Sequence, residues 1–166
     1  MKIIFLDFDG VMHVISQGHD EFGGGFHEEF VDSLARIVDV TDAKIVISAG
    51  ARTYGTDEMQ RMWRCRNLPG EVIDVTPFEY MFIGDQDPED YDKPNRGKEI
   101  QWWLDHNQRI ENYVILDDDD DMLESQLSHF VKCHGNNDHP DCVDDGYGLT
   151  AKCADKAIAI LMGGDK

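Results

Sequence analysis

Residues 2–10, KIIFLDFDG, lead a run of consecutive apolar side chains straight into two aspartates one residue apart, and then a glycine. An apolar run such as residues 3–6, with no polar alternation, is the pattern of a strand buried on both faces in a parallel sheet. The aspartates add an electrostatic constraint. Asp7 and Asp9 fall on one face if the strand continues. Two carboxylates about 4 Å apart repel by about 4 kcal/mol at an effective dielectric near 20. Such a strand end must therefore hold protons at raised pKa or hold a cation.

The apolar pattern returns in KIVIS at 44–48, EVIDV at 71–75 and NYVILD at 112–117, and HFVKC at 129–133 is a further short strand. Helical periodicity separates these runs. In HEEFVDSLARIVDV, Phe30, Leu34, Ile37 and Val38 share a face. TDEMQRMWRC at 56–65 is expected to be a helix capped by Thr56 or Asp57. GKEIQWWLDH places Ile100, Trp103 and Leu104 inward and leaves Trp102 partly exposed, and AKCADKAIAILM closes the chain as a helix. Two stretches are expected to be loops: the glycine-rich SQGHDEFGGGF at 16–26, and residues 76–95 with Pro77, Pro88 and Pro94 among acidic side chains. Strands alternating with helices predict one α/β domain over residues 1–166, three-layered and Rossmann-like, with a mostly parallel central sheet.

Three predicted strands end in polar side chains: Asp7 with Asp9, Ser48, and Asp117 with Asp118. Open parallel sheets bind ligands at the carboxyl ends of their strands, so neighbouring strands would bring these groups into one crevice. Oxygen ligands without His or Cys suit Mg²⁺, which often shares its shell with a phosphate. A carboxylate there can attack phosphorus, and its neighbour can move the proton. Ser48 and the amides of the AGAR turn would hold phosphoryl oxygens, and Arg96 or Lys98 at a helix N-terminus would neutralise developing charge.

At this level FLDFDGVMH, IVIS, RGKEI and VILDDDDD resemble, in order, the four motifs of the haloacid dehalogenase-like (HAD) phosphohydrolases. More closely, DGVMH, ISAGAR, NLPGEVIDVTP, RGKEIQWWL, YVILDDDDDM and GLTAKCADKAIAIL are similar to the HAD domain associated with RNA-repair proteins. The resemblance implies Asp7 as nucleophile and metal ligand. It implies Asp9 as general acid/base that also offers its carbonyl to Mg²⁺, Ser48 on the phosphate, and Asp118 on the metal with Asp117 in support. It places the third-motif cation at Arg96 or Lys98, and a phosphate- or substrate-binding arginine at Arg52. Gly10, Ala49 and His13 are further candidates for the substrate side, with His13 equally able to close the turn. One segment departs from the family pattern. Where serines followed by Trp-Arg are common, this chain has SAGAR, which removes hydroxyls and a ring that could contact substrate.

Cap domains select small substrates in this superfamily. The roughly 30 residues between the first two motifs, and the forty-odd between the second and third, are too few for a full cap. A capless or minimally capped site is open, so it could take a phosphate presented on something large. The expected reaction is Mg²⁺-dependent hydrolysis of a phosphomonoester through an aspartyl-phosphate, on a nucleotide, another phosphorylated small molecule or a nucleic-acid end. Within the same fold the alternatives are a non-catalytic phosphate- or cation-binding domain, which SAGAR motivates, and a phosphotransferase.

Charge narrows the partners. With 34 acidic against 15 basic residues the formal net charge is -19, which opposes extended nucleic acid and anionic membranes. No apolar run approaches a membrane helix, and the N-terminus enters a strand rather than a leader, so a soluble cytoplasmic protein is expected. Four cysteines without a CxxC suit reduced thiols. CHGNNDHPDC, with Cys133, His134, His139 and Cys142, lacks the usual zinc spacing and is expected to be a polar loop. The 117–121 aspartate run lacks the alternating ligands, central glycine and closing Glu of a calcium loop.

Overall fold

A computed structural model describes residues 1–13, 17–78, 96–135 and 146–164. Its centre is a sheet of five strands: β1 (Lys2–Leu6), β4 (Lys44–Ile47), β5 (Val72–Val75), β6 (Asn112–Asp117) and β7 (Phe130–Lys132). Their order is β5-β4-β1-β6-β7, and every pairing is parallel. A separate two-stranded hairpin, β2 (Gln17–Asp20) and β3 (Gly23–Gly25), follows the first strand. Four α-helices, α1 (Glu28–Thr41), α2 (Thr56–Cys65), α3 (Arg96–His106) and α4 (Ala151–Leu161), and two short 3-10 helices, Gly50–Tyr54 and Glu124–His129, complete the described elements.

Alternation along the buried strands splits the core in two. Ile4, Leu6, Ile45, Ile47, Val114 and Leu116 face one side, where Leu34 and Ile37 of α1, Met59 and Trp63 of α2, and Ala157 and Leu161 of α4 cover them. Ile3, Phe5, Val46 and Ile115 face the other side, covered by Ile100 and Trp103 of α3. Phe5 meets Trp103 edge to face at 5.4 Å, a geometry that the ring quadrupoles favour. The result is the three-layer α/β arrangement expected from uninterrupted apolar strands. Trp103 is the core tryptophan of its pair and Trp102 stays half-buried.

Local details depart from expectation in two places. The glycine-rich 16–26 segment is not an irregular loop throughout, because β2 and β3 pair antiparallel within it. Gly18 and Gly23 take positive φ there, Asp20 accepts the Phe22 N–H at 2.8 Å, and Arg66 grips Asp20 through two 2.8 Å bonds. Neither Thr56 nor Asp57 caps α2. Gly55, at φ 84°, occupies the cap position, and the Thr56 hydroxyl donates instead to Asp74 of β5 at 3.1 Å. Within the aspartate run, Asp121 accepts the Arg96 N–H at 2.8 Å and so holds the start of α3. Residues 79–95 of the expected proline-rich loop lie outside the described residues.

Candidate active site

Backbone hydrogen bonds bring the polar strand ends level. The Asp7 N–H donates to Leu116 O and the Ser48 N–H to Leu6 O, each at 3.0 Å. With Leu6 paired to both Ile47 and Leu116, the next residues on the three strands are Asp7, Ser48 and Asp117. The two-residue period sends all three toward the face that α3 covers, in line with Phe5, Val46 and Ile115. β1 is central, with α-linked strands leaving it in both directions, so this edge is the switch point where open α/β sheets bind ligands.

Arg96, the first residue of α3, reaches into this row. Its Nη1 lies 2.9 Å from Asp7 Oδ1 and 3.5 Å from Asp117 Oδ2, and it also donates to the Ser48 carbonyl. The helix start is held by packing that only glycine allows. A Cβ on Gly97 would sit 2.6 Å from the Leu123 nitrogen, and buried Gln126 donates to the Gly97 carbonyl at 2.9 Å while accepting from the Leu123 N–H. Lys98, the other candidate cation, is exposed.

Asp7, Asp117 and Asp118 offer oxygens that all lie within 4.8 Å of one another. Asp7 and Asp117 are buried and Asp118 half-buried. Burial pushes the Asp7 carboxyl above its ordinary value, with Arg96 opposing. Burial, then the charge of Asp7, raises Asp117 to about 8. Burial alone would lower Arg96, but Asp117 and Asp7 outweigh it and hold the guanidinium charged. The Asp117 Oδ2 atom is buried without a hydrogen bond. A compact set of hard oxygens, one unsatisfied, fits a small divalent cation such as Mg²⁺.

Two glycines shape the pocket for Asp118. A Cβ on Gly10, which has φ +70°, would fall 2.1 Å from Asp118 Oδ2, and one on Gly135 would fall 2.5 Å from it. Asp9 turns the other way, its side chain 88% exposed and Oδ1 3.3 Å from His13 Nδ1. His13 also closes the turn, since its carbonyl accepts the Gly10 N–H at 2.9 Å.

Ser48 is fully buried and its Oγ has no hydrogen-bond partner among the described residues. A buried hydroxyl left unpaired is costly unless a ligand completes it. The following turn, Gly50–Tyr54, carries Arg52 inward. Both oxygens of buried Glu99 accept from Arg52 Nη2 at 2.8 Å, and the Ser48 and Ala49 carbonyls accept from Nη1 at 2.9 and 3.0 Å. The described geometry of Arg52 is thus a brace between β4 and α3.

The family model for the HAD domain in Swiss Army Knife RNA repair proteins matches residues 3–137. The chain belongs to this HAD family. No curated protein and no solved structure matches it. The matched span runs from β1 past β7, so it contains every strand-end group described above. The fold is accordingly that of HAD-type phosphohydrolases and phosphotransferases, built on an open parallel sheet.

Within this HAD domain the structure brings Asp7, Ser48, Arg96, Asp117 and Asp118 together, with Gly10 against Asp118 and Asp9 and His13 at the rim. Gly135, Glu99 and Gln126 also support the site, and none of the three is among the candidate residues of the sequence. The pairing of Glu99 had no local signal, and Gly135 was hidden in a segment read as a polar loop. In that segment Cys133 is a buried thiol and His134 bridges to Gly148, while His139 and Cys142 lie outside the described residues. No helix among the described residues is long and apolar enough to cross a membrane.

Proposed function

We propose that this domain is a Mg²⁺-dependent phosphomonoesterase that works through an aspartyl-phosphate on Asp7, with a nucleotide or a nucleic-acid end phosphate as substrate. The observation that carries this reading is the Asp7–Asp117–Asp118 cluster, with Arg96 bridging its two buried members, beside the Ser48 hydroxyl that has no hydrogen-bond partner among the described residues. Paired carboxylates, a fixed cation and a spare donor are the parts that phosphoryl transfer needs.

In the first step an Asp7 oxygen bonds to phosphorus as the bond to the leaving oxygen breaks, and protonated Asp9 gives that oxygen its proton. In the second step Asp9 takes a proton from water, whose oxygen attacks phosphorus. The bond to Asp7 then breaks, returning its carboxylate and releasing inorganic phosphate. Arg96, the Ser48 hydroxyl and the amides after β4 hold the phosphoryl oxygens. Asp7, Asp118 and the Asp9 carbonyl, with Asp117 behind them, would hold Mg²⁺, which when bound supplies positive charge against those oxygens. Asp9 suits proton transfer because its side chain is exposed at the rim, where an incoming substrate and water would meet it.

The net charge of -19 supports one phosphate at the site rather than a long strand across the surface. Hydrolysis of an aryl phosphate and of a nucleotide panel, with and without Mg²⁺, tests the reading. Mg²⁺-dependent turnover that Asp7→Asn abolishes is expected. Absence of such turnover on every compound would leave a phosphate- or cation-binding domain of the same fold.

A further inference from the structure

A cavity of about 370 Å³ opens beside the strand-end site, between the β2–β3 hairpin and α2. Asp9, His13 and Ala49, which adjoin Asp7 and Ser48 at the strand ends, line one side of it. Phe22 and Phe26 of the hairpin segment are half-buried in its lining, and Met59 and Met62 of α2 are buried beneath it. Tyr54 also lines the cavity yet remains 74% exposed.

Two arginines hold these walls in place. Arg66 pairs with Asp20 and lies 5.0 Å from the Phe26 ring centre. Arg61 joins Glu21 at 2.7 Å to Glu58 at 2.8 Å and sits 4.8 Å from the Phe22 ring centre. The hairpin is thereby fastened to α2 with its aromatic rings preset. The space itself comes from the departure in the second motif. Ala49 and Ala51 are short, and a Cβ on Gly50 would meet nothing within 4 Å.

We infer that this cavity seats the base and ribose of a nucleoside phosphomonoester, stacked against Tyr54 and Phe22. The inference rests on the phosphatase reading for its direction, since Asp9 at the shared rim faces the leaving oxygen. Aromatic faces take a planar base whatever its identity, and the Glu21 and Glu58 carboxylates offer acceptors to N–H groups at its edge. At about 370 Å³ the cavity is at the small end of ligand sites, matching one nucleoside rather than a run of bases.

Two measurements test it. Calorimetric titration of the four ribonucleosides into Asp7→Asn protein reads occupancy without turnover. Hydrolysis of the nucleoside 3′- and 5′-monophosphates against ribose 5-phosphate reads use of the base. Tyr54→Ala, at an exposed position, and Gly50→Trp, which fills open space, are each expected to weaken nucleoside binding about tenfold and to lower the nucleotide-to-ribose-phosphate ratio of kcat/KM by a similar factor. Dinucleotides with a terminal phosphate, run beside mononucleotides, distinguish a chain end from a free nucleotide by whichever is turned over faster. Nucleoside binding with no hydrolysis of any phosphomonoester keeps the cavity assignment and removes the phosphatase. Hydrolysis with equal kcat/KM for ribose 5-phosphate and every nucleotide, and no nucleoside binding, overturns the cavity assignment and keeps the phosphatase.

Discussion

Arg52 and Glu99 form a buried bidentate ion pair that ties the turn after β4 to the first turns of α3, with both oxygens 2.8 Å from Nη2. The same guanidinium holds the Ser48 and Ala49 carbonyls, so one side chain sets the spacing between the phosphate-side turn and the helix that carries Arg96.

Truncating one partner strands a buried charge, which costs about 3–5 kcal/mol. Glu99→Ala and Arg52→Ala are both expected to lower stability by that order in urea unfolding. The paired replacement Arg52→Met with Glu99→Leu is expected to recover most of it, because neither charge is then left alone.

Arg96 contacts Asp7, Asp117 and the Ser48 carbonyl, whereas Lys98 is exposed on the same helix. Losing a preorganised donor to developing charge costs about 100- to 1000-fold in kcat. Arg96→Ala is expected to show that loss in steady-state kinetics, and Lys98→Ala to change kcat less than about threefold, as an exposed charge does. Equal losses in both variants would count against the role given to Arg96.

The tight fit of Gly10 and Gly135 on Asp118 makes metal binding sensitive to one methyl group. With an added Cβ only 2.1 Å or 2.5 Å from Asp118 Oδ2, the carboxylate must move. Gly10→Ala and Gly135→Ala are expected to weaken Mg²⁺ binding about 10- to 100-fold by calorimetry, the scale seen when a ligand's support is removed. Circular dichroism identifies the folded variants for which the comparison holds.

Burial first, and then the charge of Asp7, pushes the Asp117 carboxyl up from its ordinary 3.8 to about 8. Between those values the folded state holds more protons than the unfolded one. The contribution to stability is therefore complete below the unfolded pKa and is lost as pH rises through about 8. In EDTA, the wild type is expected to lose more melting temperature than Asp117→Asn between pH 5 and pH 8, pH values chosen to span about this window. Mg²⁺ competes with the proton, so its affinity should rise over the same range. A pH slope that Asp117→Asn leaves unchanged would contradict the assignment.

Much of this molecule was legible in the chain because burial on both faces of a strand leaves an unbroken apolar run. Residues 3–6, 45–47 and 114–116 announced the sheet, and the aspartates that end two of those runs announced the crevice. The hairpin was not legible. Three consecutive glycines read as a loop, and the arginines that fasten the hairpin to α2, Arg66 on Asp20 and Arg61 on Glu21, lie forty or more residues away in the chain.

What the sequence determined by itself was the parallel sheet and the polar residues that end its strands, since unbroken apolar runs and the side chains that stop them are local. The strand register that brings those ends level belongs to the tertiary structure. The tertiary structure decided which cation serves them. Arg96 and Lys98 are two residues apart, and nothing local separates them. Gly97 against Leu123, with Gln126 and Asp121 at the helix start, fixes how α3 lies on the sheet, and that placement turns Arg96 in while Lys98 stays exposed. It also settled the orientation of Arg52, whose partner Glu99 is 47 residues distant in the chain and adjacent only once α3 has packed.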